Sequence, residues 1–318
     1  MGAAPALSAP ATEARGKGWT REVSPVLVAF VVVASLTVLP YARAFLVPLP
    51  GRAFLGFFYY VDDSYNYLYF VQQAEDGAFF FVNKLVLEDH RPALVNLEWL
   101  LVGWLSRALG RNPLLAYRLF AVVVCLALLA GTDRWLRRMG LPQGHRLPAL
   151  LLVATAGGLG GLRYAFLHAP ILSCLDLTTG LFPSLELLAN PHFVAGTALL
   201  VFSLEAFMDA RGVAGTIRAA ALGSVLGLVR PYDLVLLVAI RIHGAVVAAR
   251  GLPALRGLLP LLGLLPVILY NAWVFYRVAA FAFFRAIPYA FRDVLDFVSA
   301  LAPAVLLAVM AAWSKAEG

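Results

Sequence analysis

Long apolar blocks, each of about 17–25 residues, leave few folds open to this chain, because a helix of about 20 apolar residues is what crosses the ~30 Å hydrocarbon core of a bilayer. The blocks cover about 25–47, 93–109, 113–131, 147–162, 193–208, 214–229, 233–248, 257–275 and 295–313. They are rich in Leu, Ala and Val and do not alternate with period two. That excludes an outer-membrane barrel, whose strands are about 10 residues long and alternate. Hydrophobic residues make up 62% of the chain and charged residues 14%, with a mean hydropathy of +0.83. A globular domain in water carries about 25% charged residues. The sequence therefore predicts an all-α fold: a polytopic transmembrane helical bundle of about eight to nine spans, with an external loop carrying an interfacial helix.

Charge orients the chain. The net charge is +7, which in such a sequence reads as a signal for orientation and lipid contact. No basic patch on a soluble face suggests nucleic acid. Residues 1–22 read as a disordered cytoplasmic tail and 23–318 as a single transmembrane domain, with 48–91 as its first external loop. Ala42-Arg43-Ala44 has the form of a signal-peptidase site. Apolar residues continue through Val47, however, so the first block is expected to stay as an anchor. Arg134, Arg137, Arg138 and Arg146 fall on the cytoplasmic side only if the 93–109 block lies at the interface or re-enters. With that choice loops 163–192 and 276–293 are external. Cys125 and Cys174 show no metal spacing and are not expected to pair. Gly157-Gly158-Leu159-Gly160-Gly161 lies in an apolar block and reads as a point of close helix packing.

The first external loop holds the densest chemistry. Asp62-Asp63 stand before an aromatic helix expected over about 64–75, which places Tyr65, Leu68, Tyr69 and Gln72 on one face at the membrane surface. Adjacent carboxylates in a low-dielectric setting raise at least one pKa, which suits a general base or a metal ligand. The same aspartates would equally serve as a helix cap. Asp89-His90-Arg91-Pro92 is a second acidic and basic group at a membrane entry, or a solvated loop end with Pro92 opening a helix. In Asn190-Pro191-His192, Asn190 reads as a cap and His192 as a first-turn side chain able to meet an anion. Asp176 and Glu186 lie in the same loop. Arg230-Pro231-Tyr232-Asp233 separates two blocks. Arg230 could hold a lipid phosphate through its guanidinium fork, or pair locally with Asp233. Arg285 lies in the last external loop, where arginines run against the positive-inside rule and favour an anionic ligand. No Walker A loop, nucleophile elbow or HExxH helix is present.

These pieces together resemble the GT-C class of integral-membrane glycosyltransferases, whose relatives include protein O-mannosyltransferases and aminoarabinose transferases. The likeness rests on Asp62-Asp63-Ser64-Tyr65 with the helix to Gly77, Asp89-His90-Arg91-Pro92, Leu109-Gly110, Asn190-Pro191-His192-Phe193 and Arg230-Pro231-Tyr232-Asp233. It implies transfer of a sugar from a polyprenyl-phosphate donor to a glycan, lipid or protein acceptor at the external face of a bacterial inner membrane. Asp62 or Asp63 would activate the acceptor. Arg230, His192 and Arg285 would hold the donor phosphate, with Tyr65, Asp89, His90 and Tyr232 supporting. No nucleotide cofactor is needed, since the lipid phosphate is itself a good leaving group. No acidic motif of clear ligand spacing indicates a divalent metal. The chain has fewer spans than the class usually shows. A lipid-substrate transporter or flippase, and a non-catalytic truncated relative, are the alternative expectations.

Overall fold

The structure, a computed structural model, describes residues 24–168, 170, 174, 182–248, 258–286, 294, 296, 298–303, 305, 306 and 310 (backbone alone at 184, 245–248 and 283–286). The expected tail over 1–22 lies outside the described residues. Among them the fold is all-helical. The only strand-like feature is an antiparallel bridge between Phe81 and Leu94.

The long helices begin where sequence chemistry starts them. α1 (Pro25–Leu46) and α4 (Pro113–Arg138) carry proline in the first turn, where its missing N–H costs nothing. Asn112 caps α4 by accepting from Leu115 N at 3.0 Å. Asn96 caps α3 (Leu97–Ala108) by accepting from Glu98 N at 3.0 Å and Trp99 N at 3.3 Å. Between α1 and α3 lies α2 (Val61–Glu75), which starts three residues before the expected Ser64. Then come α5 (Gln143–Thr155), α6 (Gly160–Leu167), α7 (Pro183–Ala189), α8 (Pro191–Met208), α9 (Gly212–Val229), α10 (Asp233–Ala248), α11 (Leu259–Leu262), α12 (Leu265–Arg277) and α13 (Ala279–Ala286).

Among the described residues five helical stretches are long and apolar enough to cross a membrane: α1, α4, α8, α9 and the joined α11–α12. The bent pair α5–α6 makes a sixth if its two arms, 56° apart, form one span. The protein is thus a membrane-spanning helical bundle. The expected eight to nine spans are not reached among the described residues. α3 has 12 residues, about 18 Å of helix, well short of a bilayer core. α10 has 16, and nine of the 19 residues of the 295–313 block lie outside the described residues.

Contacts along the helices fix their directions. Tyr41, late in α1, donates to Leu188 O, and Arg118, early in α4, approaches the same carbonyl. Ala29 and Val33 pack instead with Leu128, Leu129 and Leu150. α1 and α4 are therefore antiparallel. α4 and α8 are parallel: Tyr117 meets Asn190 at one end, and Arg138 meets Asp209 at the other. α9 returns, since space beside Gly227 is filled by Leu234 and Val267 and space beside Gly223 by Leu237 and Leu264. One end of the bundle gathers α2, α3, α7 and the α9–α10 turn. The opposite end gathers Arg134, Arg137, Arg138, Arg146 and Arg218 with Asp133, Glu205 and Asp209.

The glycine run falls at the bend between α5 and α6: a Cβ added at Gly157 or Gly161 would meet nothing within 4 Å among the described residues, whereas Gly160 is buried. The close approach occurs at Gly103 of α3, where a Cβ would lie 2.5 Å from Ala74 Cβ and 2.7 Å from Val71 O. Cys125 and Cys174 are both buried and are not joined to each other in a disulfide.

Candidate functional site

The acidic pair sits in the first turn of α2. Tyr60 precedes the helix in the left-handed region at φ 46° and no side chain caps it. Asp62 and Asp63 are thus not caps. They occupy the turn where free backbone N–H groups and the helix dipole favour negative charge. Both are exposed. Partial desolvation first, and the Asp62 charge second, push the Asp63 carboxyl above its ordinary value.

Beneath this turn lies a buried polar layer. Glu186, on the short helix α7, is 1% exposed. Neither of its carboxylate oxygens has a hydrogen-bond partner among the described residues. Burial pushes its pKa up to about 8, with Asp63 adding to the rise and Arg230 opposing it. The hydroxyls of Tyr60 and Ser64 are likewise buried without a partner among the described residues. Burial, then the charges of Glu186 and Asp63, hold the Tyr60 phenol well above its usual range. Native structures leave few buried polar groups unsatisfied, so several in one place mark a spot built for something other than packing.

Two basic side chains border the layer. Arg230 follows the last turn of α9 and is 8% exposed. Its Nη1 donates to Phe193 O at 2.7 Å and its Nε to Tyr232 Oη at 3.0 Å. Asp233 Oδ2 lies 3.3 Å from the same Nε. The local pair with Asp233 is therefore formed, and the guanidinium also lies 5.3 Å over the Phe193 ring and 4.8 Å over Tyr232. His192 is 6% exposed. It does not project outward from the first turn of α8, because Glu98 Oε2 holds its Nδ1 at 2.7 Å. Tyr67 and Trp99 flank the imidazole with centroids 5.3 and 6.1 Å away. Asn190 has two duties: its Oδ1 caps α8 at His192 N (3.3 Å) and accepts from Tyr117 Oη at 2.5 Å.

No family model, curated protein or solved structure matches the chain. The site is therefore read from its own geometry.

The other expected site residues are placed apart from this layer or outside its description. Tyr65 is exposed and donates to Leu55 O at 3.3 Å. Asp89 is exposed. His90 folds back on its own loop. Its Nε2 lies 3.1 Å from Asn83 N and its Nδ1 3.1 Å from Arg91 O, and its ring meets Phe281 edge-on at 5.8 Å. Both nitrogens are satisfied if the proton is on Nδ1. Among the described residues no hydrogen bond or ion pair joins Asp89 or His90 to the acidic pair. Arg285 lies in α13, and its side chain is outside the described residues, as is Asp176.

Sequence reasoning missed Glu98. It sits inside an apolar block, two residues after a capping asparagine, and one of its oxygens is buried without a partner among the described residues. A carboxylate in an apolar run was the available signal. Among the described residues no group of three or more His, Cys, Asp or Glu side chains is arranged to hold a metal.

Proposed function

We propose that the chain is a membrane glycosyltransferase that moves a sugar from a polyprenyl-phosphate donor to a hydroxyl acceptor at the site end of the bundle. The observation that carries this reading is Glu186: a buried carboxyl with no hydrogen-bond partner among the described residues, within electrostatic reach of both Asp63 and Arg230. Near neutral pH Glu186 is largely protonated and can donate a hydrogen bond. Asp63, at the water-exposed mouth, is the base. It takes the proton of the acceptor hydroxyl as the oxygen bonds to the anomeric carbon. The bond from that carbon to the phosphate oxygen breaks, and the phosphate leaves with the electron pair. Arg230 meets its charge. His192, held by Glu98, supplies a second polar edge beside the phosphate, and Asp62 favours Asp63 in its role by raising its pKa. No nucleotide or metal enters this scheme.

The same reading puts the protein in a bacterial inner membrane with the N-terminus in the cytoplasm. The basic end of the bundle then faces inward and the site faces out. Turnover of polyprenyl-phosphate sugars by purified protein in lipid nanodiscs tests it, with wild type beside Asp63→Asn, Glu186→Gln and Asp62→Asn. The expected result is a loss of about 100-fold or more for the first two and a smaller loss for the third. Full activity in Asp63→Asn and Glu186→Gln would place the chemistry elsewhere. Absence of turnover by folded wild type across donors would remove the transferase reading.

A further inference from the structure

A second feature lies at the start of α4, beside α7. Arg118, in the second turn of α4, is partly buried and has no carboxylate within ion-pair distance among the described residues. Its guanidinium lies 4.0 Å over the Tyr41 ring and 4.9 Å from Phe57. Its polar contacts are neutral carbonyls: Nη2 donates to Gly56 O at 3.1 Å, and Nη1 reaches Leu188 O only at 3.5 Å. Nε is buried with no hydrogen-bond partner among the described residues. The Nη1 contact is at the limit of a hydrogen bond, so that donor is weakly used. A cation next to hydrocarbon is costly unless an anion or water answers it. The other end of α4 shows how this chain otherwise treats such charges: Arg134, Arg137 and Arg138 each have a carboxylate within 3.1 Å.

Arg118 also closes one end of a shallow cleft between α1 and α4. The rest of the cleft is apolar, lined by Ala34, Val38, Ala121, Val122 and Leu187 among others. An apolar trough ending in an unanswered cation complements a molecule with a hydrocarbon chain and an anionic head. We infer that this cleft binds an anionic phospholipid, with its chain between α1 and α4 and its headgroup phosphate on Arg118. The head carries a net negative charge, since a lipid with its own ammonium would neutralise the phosphate before Arg118 did. This assignment does not depend on sugar transfer, because the contacts of Arg118 with Gly56 O, Leu188 O and the Tyr41 and Phe57 rings include none of Asp63, Glu186 and Arg230.

Native mass spectrometry of the detergent-purified full chain tests it, with phosphatidylglycerol and phosphatidylcholine titrated in competition. Wild type is expected to retain one phosphatidylglycerol in preference by about tenfold, the effect of one charge-assisted contact. Arg118→Gln is expected to abolish the preference. Ala34→Phe fills the trough and leaves Arg118 untouched; it is expected to lower phosphatidylglycerol retention to the phosphatidylcholine level. Should Arg118→Gln fail to fold, Ala34→Phe decides the matter. An unchanged preference in either folded variant overturns the assignment. So does displacement of the lipid by millimolar inorganic phosphate, which would show a site that reads phosphate without a chain, or selective displacement by polyprenyl phosphate, which would make the cleft part of the transferase site.

Discussion

A carboxyl that is 1% exposed, with neither oxygen hydrogen-bonded among the described residues, resists ionisation. For Glu186 that resistance raises the folded-state pKa from 4.5 to about 8. Between those values the folded chain holds a proton that the unfolded chain has released. Stability from this group is therefore complete below 4.5 and is lost as pH rises through about 8. The expected outcome is that wild type melts at progressively lower temperature between pH 5 and pH 8, while Glu186→Gln, permanently neutral at that position, loses markedly less over the same window. The gap at pH 8 is at most about 5 kcal/mol, the full shift at 1.36 kcal/mol per unit. Thermal melts of both proteins in one detergent check it. Parallel curves would mean that Glu186 ionises freely and that its buried, partnerless state is not what determines its chemistry. At this scale the sequence was only partly informative. Asp62 and Asp63 are adjacent, so their mutual repulsion is local and legible. Glu98, Glu186 and Arg230 come from three separate segments, and only the packing of α3, α7 and α9 brings them to one layer.

Two glycines show what the helices need in order to hold that layer. α2 lies on α3 through Gly103, where an added Cβ would meet backbone as well as side chain: Val71 O at 2.7 Å and Glu75 N at 2.9 Å. Backbone cannot rotate away, so Gly103→Ala is expected to lift α2 from α3. That would loosen the buried Glu75, which accepts from Ser106 and pairs with Arg111 at 2.9 Å. The expected cost is about 1–3 kcal/mol of overpacking, read as a lower melting temperature. Gly161→Ala, in open space, serves as the neutral control. Gly196 of α8 is a different case. Its missing Cβ would fall 1.8 Å from Arg230 Cδ, and a side chain can move where backbone cannot. Gly196→Ala is therefore expected to unseat Arg230 and, on the proposed transferase reading, to lower turnover by about tenfold or more, the value of a charge-assisted contact, at a smaller cost in stability than Gly103→Ala. Equal losses of stability and activity at both positions would show that Gly196 matters for packing alone. Helix positions were largely legible from apolar runs and, at α8, from the Asn190 cap. The roles of individual glycines were not, because a glycine's neighbours in space are set by tertiary packing.

For the molecule as a whole, the sidedness of the chain depends on whether α3 crosses. The apolar run over 93–109 looks long enough to span. Its helix, however, begins only at Leu97, after the Asn96 cap, and ends at Ala108, which leaves about 18 Å. Without that crossing, the start of α1, the Arg134–Arg138 stretch and the α8–α9 link with Asp209 and Arg218 all fall at one end of the bundle. The loop with α2, helix α7 and the α9–α10 turn fall at the other. This is the arrangement the distribution of basic residues predicted, because arginine is retained preferentially on the cytoplasmic side of short links. Single cysteines at Lys84 and Gly140, in a background with Cys125 and Cys174 replaced by serine, separate the cases. Lys84, in the α2–α3 loop, and Gly140, just after α4, are both exposed. A membrane-impermeant maleimide applied to intact cells is expected to label the cysteine at 84 and not the one at 140, with both labelled after permeabilisation. Labelling of both positions, or of neither, in intact cells would mean that α3 crosses the membrane after all, and the acidic pair and the Arg230 turn could then no longer share a face. The reverse pattern would keep the fold but put the site in the cytoplasm. On the proposed transferase reading, donor and acceptor would then have to be supplied from that side.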